Sequence, residues 1–581
     1  MLYFITAWLL LAVFSWVIGT GVLNRFRADQ FERGGDRLVA ALWLGILLLA
    51  VALLATSLVL PLSPAVGAGV AALLCGIALL SVRTRSEMLA GATKLTRSQL
   101  TRSHFWICLA GAIGVAALTA QPVTWRDTGL YHYGLIQWLG KFGTVPGLSL
   151  LFSNLGFSSS WLALAAPLNA EIFDARVSAV ANGFALLLVG VQLIVGLSHF
   201  LKRDGRLSDG FIAAFSLLIF PIVVGSNLLS VILISPSPDI PVMFLVGVVA
   251  WSILVVSNAS SVYESATRSE GSTAALVPLI LATGAVTLKL TALPLLLVTG
   301  LYVLRTGGWS ARRVGLTLGI VSVILAPLCL AGITVSGCPL YPSTAFCLDL
   351  PWSLPTQAAT SVAKSTHAWT SWYTAPPTVH PWLWAIYRWL ADSRPNQLLA
   401  VLIVLSLGSG VYLWKTRRSQ PDRGQAWVSA IAGSGILFFM LTAPSFRFML
   451  VYLLLIPILV GLHLLPLDRL QRFRRRSPWH ERTLSVTSLG LAALFIALYI
   501  KSNTLSHLLL PPRMQTSQVI QKQGSDFVYF SPQPNLPLTQ LLCWDAPLPC
   551  GFSVLPQVRL RQPKQGLRAG FIWDRSFKSA Q

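Results

Sequence analysis

Between Leu2 and Ile500 the chain returns repeatedly to apolar stretches of roughly 20 residues, the length at which an α-helix spans the hydrocarbon core of a bilayer. They lie near 2 to 23, 38 to 62, 66 to 82, 105 to 121, 177 to 200, 211 to 234 and 241 to 257, and then near 314 to 335, 396 to 414, 426 to 443, 448 to 466 and 483 to 501. One further stretch, 274 to 304, is too long for a comfortable single span and is interrupted by Lys289 and Pro294, so it is expected as two short helices. With 54% hydrophobic and only 11% charged residues, a water-soluble globule could not hide this much apolar surface. The expected fold is an all-α polytopic transmembrane bundle of about 13 or 14 crossings.

The formal net charge of +23 would suggest nucleic acid in a soluble protein, but the basic residues are clustered in short loops between the apolar stretches. Arg25, Arg27, Arg33 and Arg37 follow the first stretch; Arg83, Arg85, Lys94, Arg97 and Arg102 follow the third; Lys202, Arg203 and Arg206 follow the fifth. Arg305, Arg312 and Arg313 come next, then Lys415, Arg417, Arg418 and Arg423, and finally the run from Arg469 to Arg482. By the positive-inside rule these loops are cytoplasmic and face anionic lipid, and no nucleic-acid partner is expected. Fourteen crossings keep every basic loop on that side; a single span at 274 to 304 would not. No basic region precedes Leu2 and arginines follow the first stretch, so it is expected to be retained as a helix with its N-terminus outside.

This topology places 122 to 176, 336 to 395 and the tail from about 502 to 581 on the non-cytoplasmic side. The expected organisation is an N-terminal three-helix extension (1–104), a transmembrane core (105–501) carrying the two outer loops, and a small outer C-terminal segment (502–581). Aromatic residues crowd the loops: Trp125, Tyr131, Tyr133, Trp138 and Trp161 in the first, and Trp352, Trp369, Trp372, Tyr373, Trp382, Trp384 and Trp389 in the second. Such residues either anchor interfacial helices at the headgroups or line a groove that stacks on sugar rings or a polyprenyl chain. Of the cysteines, Cys75, Cys108 and Cys329 fall in apolar spans as small core residues. Cys338 with Cys347, and Cys543 with Cys550, are candidate local disulfides on the oxidising side, and their spacing does not match a zinc site.

Carboxylates are scarce, with 20 Asp plus Glu in the whole chain. Near the outer boundary the candidates are Asp127, Glu171, Asp174, Asp239, Asp349 and Asp392. Asp127 stands just after the stretch that ends near Ala120, within one or two helical turns of Tyr131 and His132, close enough for a shared cluster if TGLYHYGLIQWL is helical. It is equally placed to cap that helix. Asp239, in SPSPDIPV, can cap a helix, share acid and base duties with Asp127, or help to hold a divalent metal. Lys289, in VTLKLTALP, is a cation inside an apolar stretch, where burial costs at least about 2.5 kcal/mol. It and Arg447, in TAPSFRFML, are suited either to bind phosphate oxygens or to snorkel to headgroups.

Several segments together resemble known proteins: RDTGLYHYGLIQWLGKFGTVPGL, SPSPDIPV, VTLKLTALP, SGCPLYPST, APSFRF and CWDAPLPC. They look like parts of a little-characterised family of large bacterial polytopic membrane proteins, found in cyanobacteria among others, over about residues 105 to 571. More broadly the layout resembles the membrane-embedded C-type glycosyltransferase superfamily, whose members carry an essential acid in the first large outer loop. Where that superfamily often has a neighbouring second acid, Asp127 is followed by Thr128 and Gly129. The resemblance implies an enzyme of the bacterial plasma membrane with its active face outward. A sugar would pass from a polyprenyl-phosphate donor to a glycan, lipid or protein acceptor, with Asp127 as general base. Lys289 and Arg447 would then steady the departing phosphate. From placement alone, Tyr131 and His132 are expected to position the acceptor, and Asp239 to assist or hold a metal.

Two other classes fit the same features: a transporter or flippase for lipid-linked or amphiphilic substrates, and a non-catalytic glycan-assembly partner. No Walker-type Gly-rich loop occurs, which argues against an ATP-driven pump in this chain.

Overall fold

The computed structural model describes residues 1–97, 102–173, 176, 178–200, 205–263, 273–306, 308–416, 423–465, 508–535, 537, 541–552 and 554–576. The protein is a multi-pass, mostly helical membrane protein with a small C-terminal sheet region. Among the described residues nine helices are long and apolar enough to cross a bilayer, or ten if one bent pair is a single span.

The first two spans, α1 (Leu2–Arg25) and α2 (Gly34–Ser57), pack along each other at very short range. A Cβ on Gly19 would come within 1.8 Å of the Ala41 carbonyl oxygen, and one on Gly45 within 1.9 Å of the Ser15 carbonyl oxygen, so only glycine permits this approach. Most of α2 is buried, and it packs also against helices from the middle of the chain. The N-terminal helices are therefore continuous with the core.

The third apolar stretch does not run straight. Helix α3 (Pro64–Leu79) ends early, and α4 (Val82–Arg97) leaves it at 105° over its first turns, because cations replace apolar residues from Arg83 onward. Then follow α5 (Arg102–Thr119), α6 (Tyr133–Lys141), α7 (Ser160–Leu168), α8 (Val180–Phe200) and α9 (Leu207–Gly225). The stretch expected as one crossing over 211 to 234 is broken at Ser226, whose Oγ caps α10 (Asn227–Leu233) by accepting from the Leu229 N–H at 3.4 Å. Helix α11 (Asp239–Tyr263) is among the most buried spans.

The long stretch at 274 to 304 is two helices, α12 (Leu276–Leu288) and α13 (Leu293–Thr306), which pack against each other. The break is Lys289, whose backbone is extended (φ −158°, ψ 135°). After it come α14 (Ala311–Ser336), α15 (Thr356–His367), α16 (Pro381–Asp392), α17 (Arg394–Thr416), α18 (Arg423–Thr442) and α19 (Phe446–Leu464). Helices α12 and α13 are apolar but shorter than a full span. The expected crossing at 483 to 501, the Arg469–Arg482 run and Asp174 lie outside the described residues.

Among the described residues, the arginines that precede and open α2 and the long segments lie at opposite ends of that helix. At one end Arg33 pairs with Asp36 and Asp209 at 2.8 Å each, and Arg37 pairs with Glu87 at 3.0 Å. At the other end, the far terminus of α2 meets the first long segment where the Thr144 N–H donates to the Ser57 carbonyl at 2.6 Å. Here the three long segments pack together. Gly147 N–H donates to the Thr334 carbonyl at 3.0 Å, Tyr341 Oη to the Ser153 carbonyl at 3.0 Å, and Phe571 N–H to the Pro146 carbonyl at 2.9 Å. The tail supplies two antiparallel hairpin-like pairs, β1 (Val519–Gln523) with β2 (Val528–Pro532) and β3 (Val558–Leu560) with β4 (Phe571–Trp573).

Both candidate disulfides are formed, Cys338–Cys347 and Cys543–Cys550. Cys75 and Cys329 are half-buried, whereas Cys108 is exposed on α5 and is not a core residue. A thiol is apolar enough for either environment.

Candidate functional site

Four charged side chains that are far apart in the sequence meet at the end of the bundle that carries the long segments. Asp127 precedes a π-helical turn, Thr128–His132, that runs into α6. Its side chain makes no capping hydrogen bond; Oδ2 instead accepts from Arg447 Nη1 at 3.2 Å. That settles the choice between capping and clustering in favour of the cluster. The same Arg447 Nη1 lies 3.4 Å from Asp239 Oδ2, and Lys289 Nζ donates to Asp239 Oδ1. Two carboxylates and two cations thus form a chain of alternating sign: Asp127, Arg447, Asp239, Lys289.

Three of the four stand where a helix starts or breaks. Arg447 is in the first turn of α19, Asp239 in the first turn of α11, and Lys289 in the gap between α12 and α13. The aromatic ring of Phe448 serves both cations, with Lys289 Nζ 4.4 Å and the Arg447 guanidinium 4.7 Å from its centroid; Trp125 lies 5.6 Å from the guanidinium. The Asp239 carboxylate is 1% exposed, whereas that of Asp127 is 25% exposed. Asp127 is therefore the acid that a ligand can reach.

That burial bears on the roles expected for Asp239, as cap, acid–base partner or metal ligand. A second general base has to meet its substrate, and a metal there would sit against two cations, which Coulomb repulsion opposes. Its geometry suits anchoring of Lys289 and Arg447. Among the described residues the His/Cys/Asp/Glu group close enough to share an ion is Asp36, His199 and Asp209, at the arginine-bearing end. There the Arg33 guanidinium already pairs with both carboxylates.

Residues that sequence reasoning passed over fix the loops behind the cluster. Buried Asn182 donates through Nδ2 to the carbonyls of Ser235 at 2.6 Å and Ser237 at 3.0 Å, and its Oδ1 accepts from Trp161 Nε1 at 2.7 Å. The proline-rich approach to Asp239 is thereby held from inside the bundle. Ser159 Oγ donates to the Leu288 carbonyl at 2.7 Å, and the hydroxyls of Ser160 and Thr287 are 2.8 Å apart, which pins the end of α12 just before Lys289. The signal available in the sequence was an Asn and two serines within apolar segments, where polar groups need partners.

His132 does not line the site. It is 1% exposed, its ring meets the Tyr131 ring edge-on at 4.4 Å, and its Nδ1 has no hydrogen-bond partner among the described residues. Burial lowers its pKa to about 4, against the opposing pull of Asp127 and Asp239 and with minor help from Lys289 and Arg447. It packs against Tyr131, which is half-buried and also contacts the Phe157 ring at 5.4 Å. Burial pushes the Tyr131 hydroxyl up as well, with the Asp127 charge adding to the effect.

A neutral His132 has a measurable consequence. Between pH 6.5 and about 4 the unfolded chain binds a proton here that the folded chain does not, so stability is complete above pH 6.5 and declines as the pH falls, by about 3 kcal/mol in all. Thermal unfolding in detergent across pH 4 to 7 is expected to show this decline and His132→Asn to flatten it. Parallel curves for the two proteins would contradict the assignment.

Beside the cluster, a cleft runs between α11, α18 and α19, with Asp239, Thr291 and Arg447 at its polar edge and Val242, Val246, Phe439 and Val451 among its apolar walls. The aromatic residues divide. Trp369 and Trp389 are buried anchors, donating from Nε1 to the carbonyls of Met440 at 2.8 Å and Pro444 at 2.9 Å. Trp372, Trp382 and Tyr387 remain exposed.

With this geometry in place, comparison with known families decides the affiliation. A family model described as a domain of unknown function, DUF8201, matches residues 1–454. The chain belongs to that family. The DUF8201 match begins at the first residue, so it takes in α1 to α4, and it ends within α19, past Arg447. All four charged residues of the cluster therefore lie inside the DUF8201 region, and the disulfide loop Cys543–Cys550 lies beyond it. No curated protein and no solved structure matches the chain.

Proposed function

We propose that the protein is an integral-membrane glycosyltransferase that moves a sugar from a polyprenyl-phosphate donor to an acceptor hydroxyl on the non-cytoplasmic face. The observation that carries this is one reachable carboxylate, Asp127, sharing Arg447 with a buried carboxylate that also holds Lys289, at the polar edge of an apolar cleft. With room for little more than one water, about 10 Å³, the cleft admits an isoprenoid chain sideways between helices only if α11, α18 and α19 part. The donor phosphate competes with Asp127 for Arg447, and Asp239 keeps both cations in place while it does so. The acceptor oxygen attacks the anomeric carbon, its proton passes to the freed Asp127 carboxylate, and the carbon–oxygen bond to phosphate breaks with its electron pair going to phosphate. Arg447 and Lys289 stabilise that charge as it grows. The configuration at the anomeric carbon inverts. The positive-inside distribution of arginines supports an outward site in a bacterial plasma membrane.

The break at Lys289 favours a second reading, a carrier for lipid-linked substrates, since interrupted helices with an internal ion pair also build translocation paths. One experiment separates them. Purified protein in liposomes is given polyprenyl-phosphate sugars and candidate acceptor glycans or lipids, and both transfer and transbilayer movement are followed. Sugar transfer is the expected result; movement of labelled lipid without transfer would replace the glycosyltransferase reading by the carrier.

A further inference from the structure

We propose that the Cys543–Cys550 disulfide loop is a latch that holds the Asp127 segment against Arg447, with Cys543 and Trp544 acting as positioning residues. Gly129 stands two residues beyond Asp127, and its carbonyl accepts two backbone hydrogen bonds from the tail, from Cys543 N–H at 2.9 Å and Trp544 N–H at 3.2 Å. The indole of Trp544 covers the same glycine so closely that a Cβ on Gly129 would come within 2.5 Å of the ring. Glycine is required there because the latch occupies the space a side chain would need.

The loop is built to hold this grip. Its base is tied to β2, since Phe530 N–H donates to the Pro549 carbonyl at 2.9 Å and Gly551 N–H to the Phe530 carbonyl at 3.0 Å. Its middle is tied by the Asp545 carboxylate, which accepts from Ser517 N–H at 2.6 Å. Trp544 is 5% exposed and has φ +25°, a backbone conformation that bulky side chains avoid, so the closed loop has to impose it. The segment it grips needs outside support. Thr128–His132 is a single π-helical turn, and Asp127 makes no capping bond of its own to fix the entry to that turn. Reduction of the bridge by a dithiol, which is itself oxidised to a disulfide as Cys543 and Cys550 become thiols, gives the loop alternatives to the gripping conformation, and the hold on Gly129 weakens. The tail thus couples the position of Asp127 to the redox state of the compartment that contains it.

The effect on turnover rests on the proposed role of Asp127 as base; the positional effect does not. Hydrogen exchange of a peptide covering residues 125–133 is measured in the full-length protein in nanodiscs. Cys543→Ser/Cys550→Ser is expected to speed exchange over 128–132 by about tenfold or more. Trp544→Gly is expected to act in the same direction with both disulfides intact. Cys338→Ser/Cys347→Ser, which opens a bridge in another loop, is expected to leave these amides unchanged. Unchanged exchange in the first two variants, or equal acceleration in the third, overturns the latch. Faster exchange with sugar transfer unaltered keeps the latch and removes Asp127 from the chemistry.

Discussion

Asp239→Ala is expected to destabilise the protein by about 3–5 kcal/mol, the largest stability loss of any single substitution in the cluster. The wild-type carboxylate is almost fully buried and faces two cations. Removing it leaves Lys289 and Arg447 near each other with only the partly exposed Asp127 to balance them. Desolvated charges of one sign then repel, and neither can reach bulk water without moving its helix terminus. The double variant Asp239→Ala/Lys289→Met removes a charge of each sign, so it is expected to lose much less than the sum of the single losses. Denaturation of wild type, Asp239→Ala, Lys289→Met and the double variant in detergent measures the coupling. Additive losses would show that the Asp239–Lys289 pair does not act as a unit.

The second large effect is on activity. Asn at position 127 keeps the shape of the side chain and a carbonyl oxygen that can still accept from Arg447, but it cannot take up the acceptor proton. A positioned base contributes about 10²–10⁴-fold, so Asp127→Asn is expected to lose transfer by at least about two orders of magnitude with thermal stability changed by less than about 1 kcal/mol. The small stability change follows from the partial exposure of the Asp127–Arg447 pair, in contrast with Asp239. The two acids are thereby separable by experiment, with Asp239→Ala expected to act on stability and Asp127→Asn on transfer.

Much of this arrangement was legible in the sequence for a simple reason. In a membrane chain, charge is expensive, so the few charged residues near apolar segments mark places where something holds them. Asp127, Asp239, Lys289 and Arg447 were each selectable on that ground, and the break at Lys289 was readable from a cation and a proline in an overlong apolar stretch. Partnership was not readable. Asp127 and Arg447 are 320 residues apart, and no local periodicity tells one helix terminus that it will meet another. For the same reason the sequence left Asp239 open between a helix cap, an acid–base partner and a metal ligand, and did not show its two cationic neighbours.

Helix lengths were readable only where hydropathy and capping agreed. The expected span at 211 to 234 overlooked Ser226, whose hydroxyl starts a new helix. The span at 66 to 82 ran past the point where α3 turns by 105°, because a hydropathy window averages over a sharp change in direction. The tail was the least legible part. Its short strands and disulfide loop have no long period to read, and the contact of Trp544 with Gly129 depends on the tail folding back over a segment more than 400 residues earlier.

The most direct test of the central claim is single-turnover sugar transfer by wild-type protein and Asp127→Asn, side by side in liposomes loaded with a polyprenyl-phosphate sugar. The wild type is expected to transfer, and the variant to bind the lipid donor while transferring at least about 100-fold more slowly. Transfer at the wild-type rate by a folded Asp127→Asn protein would contradict the assignment of Asp127 as the base.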